Sequence, residues 1–242
     1  MGTGRGAALL ACADARTASR LSAVLCECGY APVVMVPDMA SALMALSGSR
    51  FELALLGAVL SGGDGMALAR RIIALPLRRY PDILLLWQTG MWLPEPEHLS
   101  DISASLLREP VNAESLAAAV EGLRACELPA GKAARLNELL DRLGVPVHPG
   151  REALSRAVAL AWRDHECLRN LRANLYPGAG GPLGLTAAQT ERAIRHVIER
   201  AWRVGDIDEQ QRIFGDTIDA GRGRPTCGEM IARLADVLRW EG

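Results

Sequence analysis

Arginine residues recur at helical spacing between residues 187 and 204, and arginine is well suited to bind nucleic acid. At about 100° per residue, the apolar residues of this stretch gather on one face: Ala193, Ile194, Val197, Ile198 and Ala201. The opposite face collects the polar side chains: Gln189, Arg192, Arg195, His196, Glu199, Arg200 and Arg203. The stretch therefore predicts an amphipathic helix, and its polar face is a candidate surface for contact with DNA.

Local signals indicate both ends of this helix. Thr186 and Gln189 form a capping-box pattern at its start and Gly205 follows its end, so it should run from about 187 to 204. A recognition helix inserts its N-terminal part into the major groove, and Gln189 and Arg192 lie in that part. We expect Arg192 to donate two hydrogen bonds to a guanine.

The charged neighbours of Arg192 have separate roles in this prediction. Glu191 would orient Arg192 or accept a hydrogen bond from a cytosine. The arginines further along the helix would bind phosphates: Arg195, Arg200 and Arg203.

A second explanation for the same charges remains open. Glu191 with Arg195, and Glu199 with Arg195 or Arg203, are spaced as i,i+4 ion pairs, which are common on any solvated helix. His196 is expected either to bind a phosphate or to pack against a neighbouring side chain.

Composition narrows the class of protein. The 242 residues are half hydrophobic, carry a net charge of −1 and contain no apolar run of the roughly 18 residues that cross a bilayer. We therefore expect a soluble, cytoplasmic protein in which only a local patch would bind DNA. The six cysteines and four histidines lack metal-site spacing, and no nucleophile, base and orienting group recur together. We expect no enzyme activity, no metal and no other cofactor.

Two domains with different patterns follow one another. Residues 7–124 alternate five apolar runs with amphipathic stretches, which predicts an α/β, flavodoxin-like domain (1–124) with a doubly wound, parallel, five-stranded sheet. Residues 125–134 are rich in Pro, Gly and small residues and are expected to be a linker. Residues 135–242 are helical in pattern, which predicts an all-α bundle. We expect its tryptophans in the core: Trp162, Trp202 and Trp240.

The order and spacing of the first domain, with LALLGAVLSGGDG (53–65) as the best local match, resemble the receiver domain of bacterial two-component response regulators. In that family an aspartate at the end of the third strand takes a phosphoryl group, and an acidic pair after the first strand binds magnesium. A Thr or Ser after the fourth strand senses the phosphoryl group, and a Lys before a Pro after the fifth strand pairs with it.

This sequence departs from the receiver pattern at each of those positions. The phosphoacceptor position is Gly57, and the acidic pair has become Ala13 and Asp14. The sensor position is Trp87, which we expect to fill the vacated pocket, and the lysine has become Glu109. The resemblance therefore implies a pseudo-receiver that cannot be phosphorylated at the usual site.

Residues 136–241 contain long strings that match a second family in order and spacing: LGVPVHPG (143–150), ERAIRHVIERAW (191–202), GDID (205–208), IFGDTI (213–218) and RPTCGEMIARLADVLRWE (224–241). They resemble the effector domain of the sporulation-initiation master response regulator of endospore-forming Firmicutes. The resemblance implies a helical bundle with a helix-turn-helix that reads a short DNA box, usually as tandem or dimeric copies.

Two features depart from that second family. Where this sequence has Gln189, the family carries an arginine that reads a base. The first helix of the helix-turn-helix should pass through residues 176–184, where helix formers are replaced by Gly178, Gly180, Gly181 and Pro182. We expect the last turns of that helix to unravel and DNA binding to be weakened.

The expected function is therefore a DNA-binding transcriptional regulator of sporulation-regulator type that does not respond to phosphorylation. Its expected partners are double-stranded DNA and, in a homodimer or heterodimer, a related regulator, with no membrane and no small-molecule substrate. The alternative is a protein-interaction module, a degenerate paralogue that modulates the genuine regulator without binding DNA.

Overall fold

The computed structural model describes residues 5–88, 90–91, 94, 96–123, 128–215 and 223–240. The chain divides into two compact units, Met1–Ala130 and Gly131–Gly242, which are described separately below. Among the described residues, no helix has both the length and the apolar character needed to cross a membrane.

The first unit is built around a parallel sheet. The strands in its described residues are β1 (Gly6–Ala11), β2 (Tyr30–Val36), β3 (Leu53–Leu56), β4 (Val59–Leu60), β5 (Gly63–Asp64), β6 (Asp82–Trp87) and β7 (Ala104–Arg108). Five of these strands pair in parallel in the order β2-β1-β3-β6-β7, and β4 and β5 form a small antiparallel hairpin. The strand order reverses beside β1, which is the doubly wound, flavodoxin-like topology.

Helices cover both faces of this sheet. They are α1 (Ala15–Glu27), α2 (Met39–Gly48), α3 (Gly65–Ala74), α4 (Pro96–Ser100) and α5 (Ala113–Leu123). Alternate strand residues such as Leu10 and Leu55 pack with α1 and α5, while Leu9 and Leu56 pack with α2 and α3. Because both faces are covered, the strands are almost wholly apolar. The α/β fold class predicted for the first domain is confirmed.

Aspartates begin the first three helices. Asp14, Asp38 and Asp64 are the N-cap residues of α1, α2 and α3, and each carboxylate accepts a hydrogen bond from the backbone N–H three residues later, at 2.7, 2.8 and 2.7 Å. These bonds satisfy N–H groups that have no partner inside the helix. Hydrogen bonds from the side chain and then the backbone of Thr17 hold the pKa of the Asp14 carboxyl below its usual range, and those from the backbone and side chain of Ser41 do the same for Asp38.

The second unit is helical throughout its described residues. Its α-helices are α6 (Ala130–Arg142), α7 (Pro149–Arg163), α8 (Tyr176–Gly180), α9 (Ala187–Val204), α10 (Ile207–Phe214) and α11 (Cys227–Trp240). A 3₁₀ helix (His165–Asn170) and a π-helical turn (Leu171–Leu175) precede α8, and a 3₁₀ turn (Gly181–Leu183) follows it. Helix α7 is central, with Leu154, Ala157 and Val158 fully buried where it packs against α8, α9 and α11. The predicted all-α bundle is confirmed.

The expected linker, 125–134, overlaps a helix. Helix α6 begins at Ala130, and residues 124–127 lie outside the described residues. Ala and Lys between 130 and 134 are good helix formers, and they outweigh the single Gly131 that suggested a linker.

The expectation for the three tryptophans was wrong at one position. Trp162 is buried, and Trp202 is half-buried and packs edge-on against Phe214 with 5.1 Å between ring centroids. Trp240, however, is 68% exposed. It is the last residue of α11, and since Val237, one turn earlier on nearly the same side, is buried, the packed part of the helix ends before Trp240.

The expectation that residues 178–184 unravel was also wrong. Helix α8 includes both Gly178 and Gly180, and the 3₁₀ turn continues the helical course to Leu183. Pro182 lies in the first turn of that 3₁₀ segment, where a missing N–H costs little. Gly184 then ends the segment in the left-handed conformation at φ +70°. The structural cause that we assigned to weakened DNA binding is therefore absent.

Candidate nucleic-acid interface

Helix α9 has the bounds that the sequence predicts. Thr186 is its N-cap, with the hydroxyl accepting a hydrogen bond from the Gln189 N–H (3.3 Å), and Gln189 Oε1 in turn accepts one from the Thr186 N–H (2.8 Å). Both halves of the capping box are present, and Gly205 is the C-cap. The side-chain amide oxygen of Gln189 is therefore already used in the helix cap.

The apolar face of α9 is packed into the second unit. Of the five residues predicted for this face, Ala193 is half-buried. The other four are buried: Ile194, Val197, Ile198 and Ala201. Thr190 is also buried. Its hydroxyl is satisfied there by donating to the backbone carbonyl of Thr186 (2.8 Å). Its hydroxyl bonds to a residue four positions earlier, so the sequence showed Thr190 only as a polar residue compatible with a helix and did not predict its burial.

Glycines allow other segments to approach α9 closely. A Cβ at Gly150, in the first turn of α7, would collide with the carbonyl oxygen of Ala193, and one at Gly180 would collide with Oγ1 of Thr190. At the other end of α9, a Cβ at Gly144 would lie 2.7 Å from Cα of Gly205. These contacts fix the position of α9 on the bundle.

The turn between α8 and α9 completes a helix-turn-helix. The N–H of Leu185 donates to the carbonyl of Gly180 (3.0 Å), and that of Gly184 donates to Gly181 (2.9 Å). These bonds satisfy the last carbonyls of the first helix, and the left-handed Gly184 redirects the chain toward Thr186.

The exposed face of α9 contains an arc of unpaired basic side chains. We call this the basic arc: Arg192, His196, Arg200 and Arg203. Helical geometry places these four positions within about 80° of one another. All four are exposed, and in the described part of the chain the three arginines form no hydrogen bond or ion pair. Gln189 is exposed beside them.

A second row of charges on α9 is paired, both within the helix and with other segments. Glu191 accepts hydrogen bonds from Nε of Arg172 (3.1 Å) and from Arg195, so the predicted i,i+4 pair is formed. Glu199 pairs with Arg224 (2.9 Å), so among the described residues neither of its predicted i,i+4 pairs is formed. The sequence did not reveal Arg172 or Arg224 as partners, because they lie on other segments. Both arginines are exposed, at 76% and 45% of their side-chain area.

The paired row borders a cavity of about 430 Å³ between α9 and the start of α11. Cys227 and Tyr176 line it, and burial raises the pKa of both the thiol and the phenol above their usual range. The Cys227 thiol therefore stays protonated at neutral pH and is a poor nucleophile.

His196 packs against a second histidine. Its ring centroid lies 5.4 Å from that of His148, with the rings tilted by 49°. Of the two roles expected for His196, packing against a neighbour is thus observed, while its exposure leaves the ring accessible.

In the first unit, the pocket equivalent to a phosphorylation site is a cavity of about 260 Å³. Ala13, Asp14 and Gly57 all line it, so the sequence correctly placed these three positions together. Gly57 is buried, and its N–H donates to the carbonyl of Ala11 (2.7 Å). The one carboxylate of the three, Asp14, is bonded to the start of α1.

Trp87 does not fill this cavity, contrary to expectation. Leu86 of β6 and Gln88 of the following loop line the cavity instead. The Trp87 indole Nε1 instead donates to the carbonyl of Met91 (3.4 Å). Strand alternation explains the difference, because Leu86 and Trp87 project to opposite faces of the sheet.

Glu109 is also engaged outside the cavity. Its carboxylate pairs with Arg20 (3.0 Å) of α1, and its N–H donates to the carbonyl of Trp87 (3.0 Å). The charge reversal at this position is thus accommodated by a surface ion pair. Within the described residues, no three or more His, Cys, Asp or Glu side chains lie close enough together to hold a metal ion.

Several solved structures are similar to this chain. A response regulator receiver domain (CheY-like) from Methylobacillus flagellatus is 18% identical, covers 50% of this chain and 99% of its own, and has a TM-score of 0.45. Chemotaxis response regulator CheY4 of Vibrio cholerae is 19% identical, with 50% and 99% coverage and a TM-score of 0.43. Full-length FixJ from B. japonicum is 19% identical, with 88% and 97% coverage and a TM-score of 0.43.

A doubly wound receiver-like unit followed by a helix-turn-helix unit is an organisation that transcriptional response regulators have. Residues 136–238 match the family described as "Sporulation initiation factor Spo0A C terminal". The resemblance predicted for the second domain is thereby confirmed, and this chain combines that domain with a receiver fold.

Proposed function

We propose that this protein is a cytoplasmic, DNA-binding transcriptional regulator of sporulation-regulator type, with residues 1–124 as a pseudo-receiver and 135–242 as the DNA-binding domain. The basic arc of α9 is the observation that carries the proposal. Its three arginines have no partner among the described residues, so all their N–H donors are available to DNA. The opposite face of α9 is packed and capped, which presents the arc on a rigid element.

Each residue of the interface has a specific role in this proposal. Arg192, in the second turn of α9, binds a guanine, and Arg200 and Arg203 bind phosphates. His196 is accessible to the same backbone. Gln189 primarily caps the helix, since its Oε1 is bonded to Thr186.

Glu191 and Arg195 act together. The carboxylate of Glu191 is shared between Arg172 and Arg195, so it orients these two arginines and is not free to accept from a cytosine. Through Arg172, the π-helical turn that precedes α8 brings a further guanidinium to the same surface.

The receiver unit supports regulation without a phosphoryl group at the usual position. Gly57 has no carboxylate to phosphorylate, and Asp14 alone offers a hard cation too few oxygen ligands. Its input is then a partner, and the expected partner is a second copy or a related regulator in a dimer.

Fluorescence anisotropy with the full chain tests the proposal. Duplexes carrying sporulation-regulator boxes should bind at least about 10³-fold more tightly than random duplexes at physiological salt. Equal affinity for both duplexes, or no binding to either, would contradict sequence-specific DNA recognition.

The alternative function, a protein-interaction module, is favoured by one observation. Val204 and Ile207 flank the turn between α9 and α10, and they are 72% and 77% exposed. Large apolar side chains exposed together often mark a protein contact. Binding of the genuine regulator in size-exclusion chromatography, together with no binding to DNA, would support this alternative.

A further inference from the structure

His148 lies outside the helix-turn-helix and has a defined tautomer. It is the N-cap of α7, where its Nδ1 accepts a hydrogen bond from the N–H of Gly150 at 3.0 Å. An imidazole nitrogen that accepts a hydrogen bond carries no proton, so the proton of neutral His148 is on Nε2. The side chain is exposed, and it therefore offers one N–H donor to solvent.

The packing of α7 places this donor beside the basic arc. Gly150 is buried against the carbonyl of Ala193, near the middle of α9. This close approach brings the His148 ring to 5.4 Å from the ring of His196. Arg192 and Arg200 lie one helical turn before and after His196, so His148 extends the arc sideways onto a second helix.

The charges around this position favour an anion. Glu191 and Glu199 of α9 are held by arginines on other segments, and Asp141 of α6 pairs with Arg151 of α7 (2.6 Å). Glu152 is the remaining acidic residue in the first turn of α7. Its negative charge is outweighed by the positive charges of Arg192 and Arg200, which are both unpaired within the described residues.

We propose that His148 donates its Nε2–H to a backbone phosphate of the DNA that α9 contacts, so that the interface extends beyond the helix-turn-helix. This inference rests on the proposed DNA-binding function. The phosphate lies beside His196, and His148 contributes as a neutral donor. In the neutral ring, Nδ1 keeps its hydrogen bond from the Gly150 N–H, and Nε2–H is the donor that remains for the phosphate.

A neutral donor has a signature that differs from that of an arginine. Neutralising a phosphate with a charged side chain releases counterions and contributes about 0.9 to the slope of log affinity against log salt. A neutral N–H raises affinity without that release. Loss of the His148 contact should therefore weaken binding at every salt concentration by the same factor.

The test uses the full chain and two variants that preserve the helix cap. Asn and Asp are both preferred N-cap residues, so His148→Asn and His148→Asp should leave α7 intact. His148→Asn should weaken binding to box and random duplexes alike by about tenfold (about 1.4 kcal/mol), with an unchanged salt slope. His148→Asp should weaken it further, because a carboxylate then faces the phosphate. The matched control is His98→Asn, an exposed histidine of the first unit, which should bind as the wild type does.

A measurement on the wild-type protein needs no variant. In ¹⁵N NMR, the neutral ring of His148 should show the Nε2–H tautomer, and DNA should shift that Nε2–H signal.

Wild-type affinity in both His148 variants, or no shift of the signal, would overturn the inference while leaving the function of α9 intact. A salt slope lowered by about one ion in His148→Asn would show a charged contact and overturn the neutral-donor assignment. Absence of DNA binding by the wild type would overturn the proposed function, and this inference with it.

Discussion

Replacing Gly180 with alanine should destabilise the second unit, although alanine is normally the better helix former. Gly180 has helical backbone angles (φ −94°, ψ −29°), at which Gly→Ala usually stabilises by about 0.4–1 kcal/mol through the unfolded chain. Here, however, a new Cβ would collide with Oγ1 of Thr190 and lie 3.0 Å from its Cβ. Thr190 is fully buried and its hydroxyl donates to the carbonyl of Thr186, so it cannot rotate away without losing that bond.

The expected magnitude follows from these opposing effects. Overpacking costs about 1–3 kcal/mol, and loss of the threonine hydrogen bond costs about 1 kcal/mol. Subtracting the favourable change in the unfolded chain leaves a net loss of about 1–3 kcal/mol. Gly181 is the matched control, because it is exposed, helical (φ −52°, ψ −48°) and has no atom within 4 Å of a new Cβ. Gly181→Ala should therefore stabilise the unit by about 0.4–1 kcal/mol.

Hydrogen exchange measured by mass spectrometry resolves this effect within the full chain. Amides of α9 that exchange through global opening should exchange about 5- to 150-fold faster in Gly180→Ala and slightly more slowly in Gly181→Ala. Adding Thr190→Ala to Gly180→Ala removes the obstructing oxygen. The double variant should therefore lose at least about 1 kcal/mol less free energy of unfolding than the two single variants lose together. If Gly180→Ala protected α9 as well as Gly181→Ala does, the close contact with Thr190 would not be what requires glycine.

The remaining predictions concern binding, signalling and acid stability. Arg192→Ala should cost about 1–3 kcal/mol on the preferred box and little on random DNA, whereas Arg203→Ala should weaken both alike and lower the salt slope by about one; Arg16→Ala, an exposed control in the first unit, should have neither effect. Acetyl phosphate with magnesium should leave no label on the first unit, and a stable label found there by mass spectrometry would contradict a pseudo-receiver. Hydrogen bonds from Ser41 hold the pKa of Asp38 below its usual range, so this carboxylate stabilises the fold above about pH 4 and the effect is lost as pH falls through the folded-state pKa. Asp38→Asn keeps the cap without the charge, and urea midpoints of this variant should fall less between pH 6 and 3 than those of the wild type.

Features that depend on nearby residues were predictable from the sequence. The bounds of α9 follow from the capping box at Thr186 and Gln189, and the exposure of Arg192 follows from helical periodicity. The five apolar runs likewise predict the parallel sheet. In these cases the interactions that decide the structure join residues within about four positions, or follow from whether a whole face is apolar.

Tertiary structure alone decided the features that depend on distant residues. Glycine at position 180 looks like a helix breaker until Thr190 is seen against it, and Glu191 looks available to a cytosine until Arg172 is seen beside it. Nothing in the sequence indicates a contact for His148, whereas the fold places it next to His196. Helical propensities and i,i+4 spacing carry no information about these pairs, because their members lie on separate segments and meet only where buried surfaces force those segments together.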